Sequence, residues 1–138
     1  MSALSITAAN VVAGTNAVKK TGVAGATITA GQPINRDPTT LKMVLSDADS
    51  ATASLRRVDG IALHGASLNQ PITWQESGDI NLGATLVVAE TYILDSGAGG
   101  IAPVGDLTIG EYTVVLGVAT TASNLKMGII NSGAADPA

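Results

Sequence analysis

Apolar positions come in short runs along this chain. Val, Ile, Leu and Thr gather for a few residues, and glycine or proline then breaks the run. The pattern predicts strands at 26–29, 33–36, 41–45, 57–63, 72–76, 85–88, 92–94, 112–119 and 125–130. In Ile72-Thr73-Trp74-Gln75 apolar and polar residues take turns, as in a strand with one face inward. Sixteen glycines and five prolines are spread through the whole chain rather than gathered in one linker. The expected fold is all-β, a compact barrel or sandwich of short strands and hairpins with at most one or two short helical segments. One such segment could open at Ser46 and run to Leu55, with Ser46 as its cap, or the stretch could be a polar loop. The small residues from Ala8 to Val18 are broken by Gly14 and show no helical face.

The two halves of the chain echo one another, suggesting an internal two-fold repeat. Ile34-Asn35-Arg36-Asp37, a turn, Leu41-Lys42-Met43-Val44 and then Val58-Asp59-Gly60-Ile61-Ala62 match a later series. That series is Tyr92-Ile93-Leu94-Asp95, a turn, Ile101-Ala102-Pro103-Val104 and then Val115-Leu116-Gly117-Val118-Ala119. Each half reads as a hairpin, a connection, and a strand with glycine inside an apolar run. Gly60 and Gly117 mark a bulge or a close backbone approach.

The ends differ from the middle. Residues 1–20 read as an N-terminal arm or edge strand, 21–131 as a single β-domain, and 132–138 as a flexible tail. Leu4, Ile6, Val11 and Val12 give the arm reason to pack, either on a neighbouring subunit's sheet edge or as the first strand of its own sheet. With Trp74 they are the candidate interface residues. Trp74 is the one tryptophan, and it suits an interface anchor or a bulky plug in a core of small side chains.

Composition narrows the chemistry. The chain is 46% hydrophobic but only 2% aromatic, so its core must be aliphatic. Charged residues make up 13%, about half the usual ~25%, which leaves a pale surface suited to burial against partner subunits. The net charge is −4 and the basic residues are scattered, with Lys19-Lys20 and Arg56-Arg57 as the only pairs, which argues against direct nucleic-acid binding. No run approaches the ~18 apolar residues of a membrane span, and residues 1–14 lack the pattern of a secretory signal.

No cysteine is present, so thiolate metal sites and disulfides are excluded. The lone His64 has no nucleophile-elbow pattern around it and reads as a histidine at a strand end. Asp47-Ala48-Asp49-Ser50 resembles the start of a calcium loop, but Thr52 and Val58 stand where that loop needs Gly and Glu. Gly97-Ala98-Gly99-Gly100 lacks the Lys-Ser/Thr ending of a phosphate loop and reads as a hairpin tip. Separated carboxylates could serve glycoside hydrolysis, yet sugar sites add aromatic platforms that this composition lacks. The expectation is a non-enzyme with no catalytic residue, metal or cofactor.

The order of turns and strands resembles a known family. Ala24-Gly25-Ala26-Thr27-Ile28-Thr29-Ala30-Gly31-Gln32-Pro33-Ile34, an Asp-turn hairpin, Val58-Asp59-Gly60-Ile61-Ala62-Leu63-His64 and Gln70-Pro71-Ile72-Thr73 leading to Ser77-Gly78-Asp79-Ile80 carry the resemblance. Gly117-Val118-Ala119 and Leu125-Lys126-Met127-Gly128-Ile129-Ile130 extend it, so that it covers roughly residues 21–131. Together they resemble the small capsid decoration, or cement, proteins of tailed bacteriophages. The resemblance implies a β-rich homotrimer on the outer surface of the virion, a major capsid protein as partner, and stabilisation of the capsid. It carries over no catalytic residue. Alternatives are another phage structural module, such as a head fibre or tail accessory, or a carbohydrate-binding β-module.

Overall fold

The computed structural model describes residues 3–135 and residue 137. The chain is nearly all-β, with 46% of residues in strands against 7% in short 3₁₀ turns, and its antiparallel sheet curls into a half-barrel. Ten strands form it: β1 (Val11–Ala13), β2 (Val18–Val23), β3 (Pro33–Arg36), β4 (Met43–Leu45), β5 (Gly60–Ala62), β6 (Pro71–Leu82), β7 (Thr91–Leu94), β8 (Ile101–Pro103), β9 (Tyr112–Ala119) and β10 (Asn124–Ala135).

The sheet order is a palindrome of the two sequence halves. It runs β4-β3-β5-β6-β10-β9-β7-β8, so β3 to β6 and β7 to β10 are laid out alike about the β6–β10 seam. Register confirms the equivalence. Ile34 faces Gly60 as Tyr92 faces Gly117, and Ala62 faces Trp74 as Ala119 faces Leu125. The second hairpin arms match two residues later than the sequence suggests. Met43 opposite Arg36, not Leu41, is the counterpart of Ile101 opposite Leu94. A slip of two keeps the same side chains inward, so the apolar pattern alone does not reveal it.

β6 organises the molecule. β2 and β5 both pair with Trp74 and Gln75, and therefore lie on opposite edges of β6. β1 and β10 both pair with Ile80 and Asn81, and so are also opposed. Ser77 pairs with both Val18 of β2 and Gly128 of β10, so β2 is opposed to β10 as well; β1 and β2 therefore share one edge of β6, and β5 and β10 share the other. Residues 14–17 between β1 and β2 then loop out along that one edge. They press on β6 at Gly78, where a Cβ would lie 2.8 Å from the Asn16 carbonyl carbon and where φ is +92°. Here glycine meets two needs at once, the missing side chain and the left-handed backbone. The loop is fastened by Gly14 N–H donating to Asp79 O at 2.7 Å and Asp79 N–H donating to Asn16 Oδ1 at 2.8 Å.

A bulge lies next to this loop. Val18 faces Ser77 but Lys19 faces Gln75, leaving Glu76 as an extra residue. One extra residue turns every later side chain to the other face. Ile72 and Trp74 thus enter one core with Ala24, Ile28, Ile34, Met43, Ala62 and Ala66, whereas Ile80 and Leu82 enter a larger one with Ile61, Tyr92, Leu94, Leu116 and Leu125. Gln75 is fully buried and its amide donates to the Ser77 and Asp79 carbonyls, tying the bulge together.

Each half closes on itself. Past β2, Ala24 bridges Met43 of β4, and Gly25 N–H donates to Met43 O at 2.7 Å. In the other half Leu4 N–H donates to Ile101 O of β8, also at 2.7 Å, before the chain continues into β1. The N-terminal segment therefore supplies β1 and β2 to its own chain's sheet.

Several expected elements differ. Residues 26–29 make only the single bridge Ile28–Ala66, because the chain there spans the end of the smaller core instead of lying along a neighbour. Residues 85–88 are not a strand. Leu86 turns inward while Val87 and Val88 stay exposed, and the loop is held by Leu86 N–H to Ala122 O and Val87 N–H to Tyr92 Oη. In 46–55 the helical part is a 3₁₀ turn at Ala53–Arg56, and Ser46 is no cap: its hydroxyl donates to Arg57 O at 2.7 Å. β10 runs to Ala135, opposite Tyr112; Asp136 and Ala138 lie outside the described residues.

Candidate functional site

The five candidate interface residues fall in three settings. Leu4 and Ile6 are half-buried and pack on the larger core, and Val11 belongs to it. Trp74 is 3% exposed and fills the smaller core beside Gly22 and Gly60, where Cβ atoms would strike its ring. Only Val12, on the opposite face of β1, is open, at 58% exposure. It edges a shallow depression of about 570 Å³ that also takes in Thr7, Asn10, Asn81, Thr85 and Ser123. Val87 and Val88, two and three residues past Thr85, are 65% and 59% exposed.

The chemical motifs resolve into structural parts. His64 Nε2 accepts from Thr73 N–H at 3.1 Å and Nδ1 lies 2.9 Å from Gly65 O, so the ring carries its proton on Nδ1 and ties the end of β5 to β6. Asp47 and Asp49 sit side by side, with Asp49 N–H donating to Asp47 Oδ1 at 3.3 Å. Burial, with Asp49 and Asp95 nearby, pushes the Asp47 carboxyl up to about 6. Among the described residues no three His, Cys, Asp or Glu side chains converge to hold a metal. Gly97–Gly100 forms the β7–β8 turn, where Gly99 (φ +73°) donates its N–H to Ser46 O at 2.7 Å.

A basic mouth emerges that sequence spacing did not reveal. Lys20 of β2, Arg36 of β3 and Arg57 ahead of β5 surround a cleft of about 250 Å³ floored by Trp74. Three of the seven Lys and Arg residues thus meet in one place. Asp59 and Glu76 share the rim but are engaged. Asp59 Oδ2 accepts Arg36 N–H at 2.8 Å, and Glu76 pairs with Lys20 at 3.4 Å. The Arg36 guanidinium lies 6.0 Å from the Trp74 ring centroid, and Arg57 Nη2 donates to Arg36 O at 3.3 Å. Among the described residues neither guanidinium has a carboxylate within ion-pair distance. Next to it Arg56 stacks on Tyr112 at 3.8 Å, and the Asn131 amide clasps the main chain of Val58 at both N–H and C=O.

Comparison with family models and with curated proteins finds no match to this chain.

Proposed function

We propose that the protein is a structural component of a phage particle that binds the outer surface of the capsid and stabilises the shell as a symmetric oligomer. The observation that carries the reading is a set of exposed aliphatic side chains on the half-barrel: Val12, which lines the depression, and Val87 and Val88, which follow its lining residue Thr85. The loop bearing the two valines is anchored through Leu86 and Tyr92, so the apolar side chains are held outward rather than left to collapse. Rigid exposed aliphatics on a pale surface suit burial between protein subunits. The resemblance of turns and strands to decoration proteins supports the same reading. A protein that binds the assembled shell and ignores its separated subunits favours assembly by mass action.

Capsids with and without the protein, heated in parallel, test this. Genome release at a higher temperature in the decorated particles is the expected result, and identical release temperatures would overturn it. Light scattering at several concentrations tests the oligomer, with three times the 13.7 kDa chain mass expected for a trimer.

A further inference from the structure

We infer that the basic mouth of the smaller lobe, together with the free edge of β2, is a docking site for an extended acidic segment of a partner polypeptide. Two observations meet there. Arg36 and Arg57 place two guanidiniums without carboxylate partners at one cleft, in a chain whose net charge is −4. Guanidinium forks bind carboxylates through paired hydrogen bonds, and with three positive against two negative side chains the lining keeps a net charge of +1 that suits an anion from outside. Beside them runs β2, which pairs with β6 on one edge and, among the described residues, with no strand on the other. Lys20 belongs to both features, lining the cleft and facing Trp74 across the β2–β6 ladder.

An unpaired strand edge offers main-chain hydrogen bonds that only another polypeptide can complete. Lys19 and Lys20 on that edge select which one. Two copies of β2 would bring their lysine pairs together, whereas an acidic strand sets carboxylates against Lys20 and within reach of Arg36 and Arg57. The site lies on the lobe built from β2 to β5, away from the Val12 rim, and it does not rest on the capsid reading.

Trp74, the single tryptophan, floors the cleft and reports its occupancy. The full chain is titrated with a capped peptide alternating Glu and Thr, with its Gln–Thr counterpart, and with inorganic phosphate. Trp74 emission and amide exchange are the readouts. The expected result is saturable binding of the acidic peptide, roughly tenfold weaker or more in Arg36→Gln and in Arg57→Gln, with slowed exchange in β2. Lys126→Gln, on exposed β10, removes the same charge elsewhere and should leave binding unchanged. Equal binding of the Gln peptide, equal loss in Lys126→Gln, or phosphate binding as tightly with β2 exchange unchanged would each overturn the proposal.

Discussion

Replacing Gly117 with alanine should part the seam between β9 and β10. A Cβ there would overlap the Lys126 carbonyl oxygen and lie 2.9 Å from its carbon and 3.0 Å from Met127 Cα. Carbon atoms pack best at about 3.5–4.0 Å, so the strands must separate by roughly 0.5–1 Å. All the crowding atoms are backbone, and no flexible side-chain end can swing aside. Overpacking of this kind costs about 1–3 kcal/mol. Stretching the neighbouring ladder bonds adds about 0.5–1.5 kcal/mol for each one lost. Gly128→Ala on the adjacent strand is the matched control: nothing lies within 4 Å of its Cβ position, and its φ is not in the left-handed region. That change should be neutral or stabilising by up to about 1 kcal/mol. Urea unfolding followed by Trp74 fluorescence measures both variants against the native chain. Equal midpoints for the two would refute the close-approach argument, and with it the structural basis for pairing Gly60 with Gly117.

Other outcomes follow from single contacts. Asn131→Ala strips the main chain of Val58 of both its partners and should cost about 1–3 kcal/mol, seen as a lower thermal midpoint. Trp74→Ala leaves a large cavity in the smaller core and should cost about 3–5 kcal/mol, whereas Trp74→Phe should cost much less in the same melt. The folded-state pKa of Asp47 is raised from 3.8 to about 6, so the fold holds its proton more tightly than the unfolded chain does. Its contribution to stability is therefore full below pH 3.8 and is lost as pH rises through about 6. Asp47→Asn should remove that part of the fall in urea midpoint between pH 4 and 7. Val88→Ser should change monomer stability by no more than about 0.5 kcal/mol while weakening self-association in sedimentation runs.

Much of this architecture can be read from the residues, though unevenly. The bounds of β3 and β9 match the apolar runs at 33–36 and 112–119, because both strands bury most of their apolar residues. The repeat was legible through Gly60 and Gly117, since a tight interstrand approach leaves a glycine that propensity does not otherwise call for. β2 was not legible: Val-Lys-Lys-Thr-Gly-Val lies at an edge, nearly all exposed, with no apolar alternation to betray it. The full length of β6 was hidden by its bulge. Ile72, Trp74, Ile80 and Leu82 look like one face but serve two cores. The basic mouth was invisible for another reason. Lys20, Arg36, Arg57 and Trp74 are far apart in the chain, and only the curl of the sheet brings them together. Of the proposed interface set, Val12 alone kept its side chain outside, because β1 turns its alternate residue, Val11, into the core.

The pairing of β1 and β2 along one edge of β6 carries a consequence for how the chain is made. During synthesis the N-terminal segment leaves the ribosome first, yet its partner strand ends at Leu82. At roughly 5–20 residues per second, β2 waits several seconds for β6 to appear. Throughout that interval the apolar residues of β1 and the bare edge of β2 have nothing of their own to pair with. The segment cannot dock when it is made, because the edge it pairs with does not yet exist; it is laid along β6 afterwards. Lysines in β2 are well placed to keep so exposed a ribbon from pairing with the wrong chain while it waits.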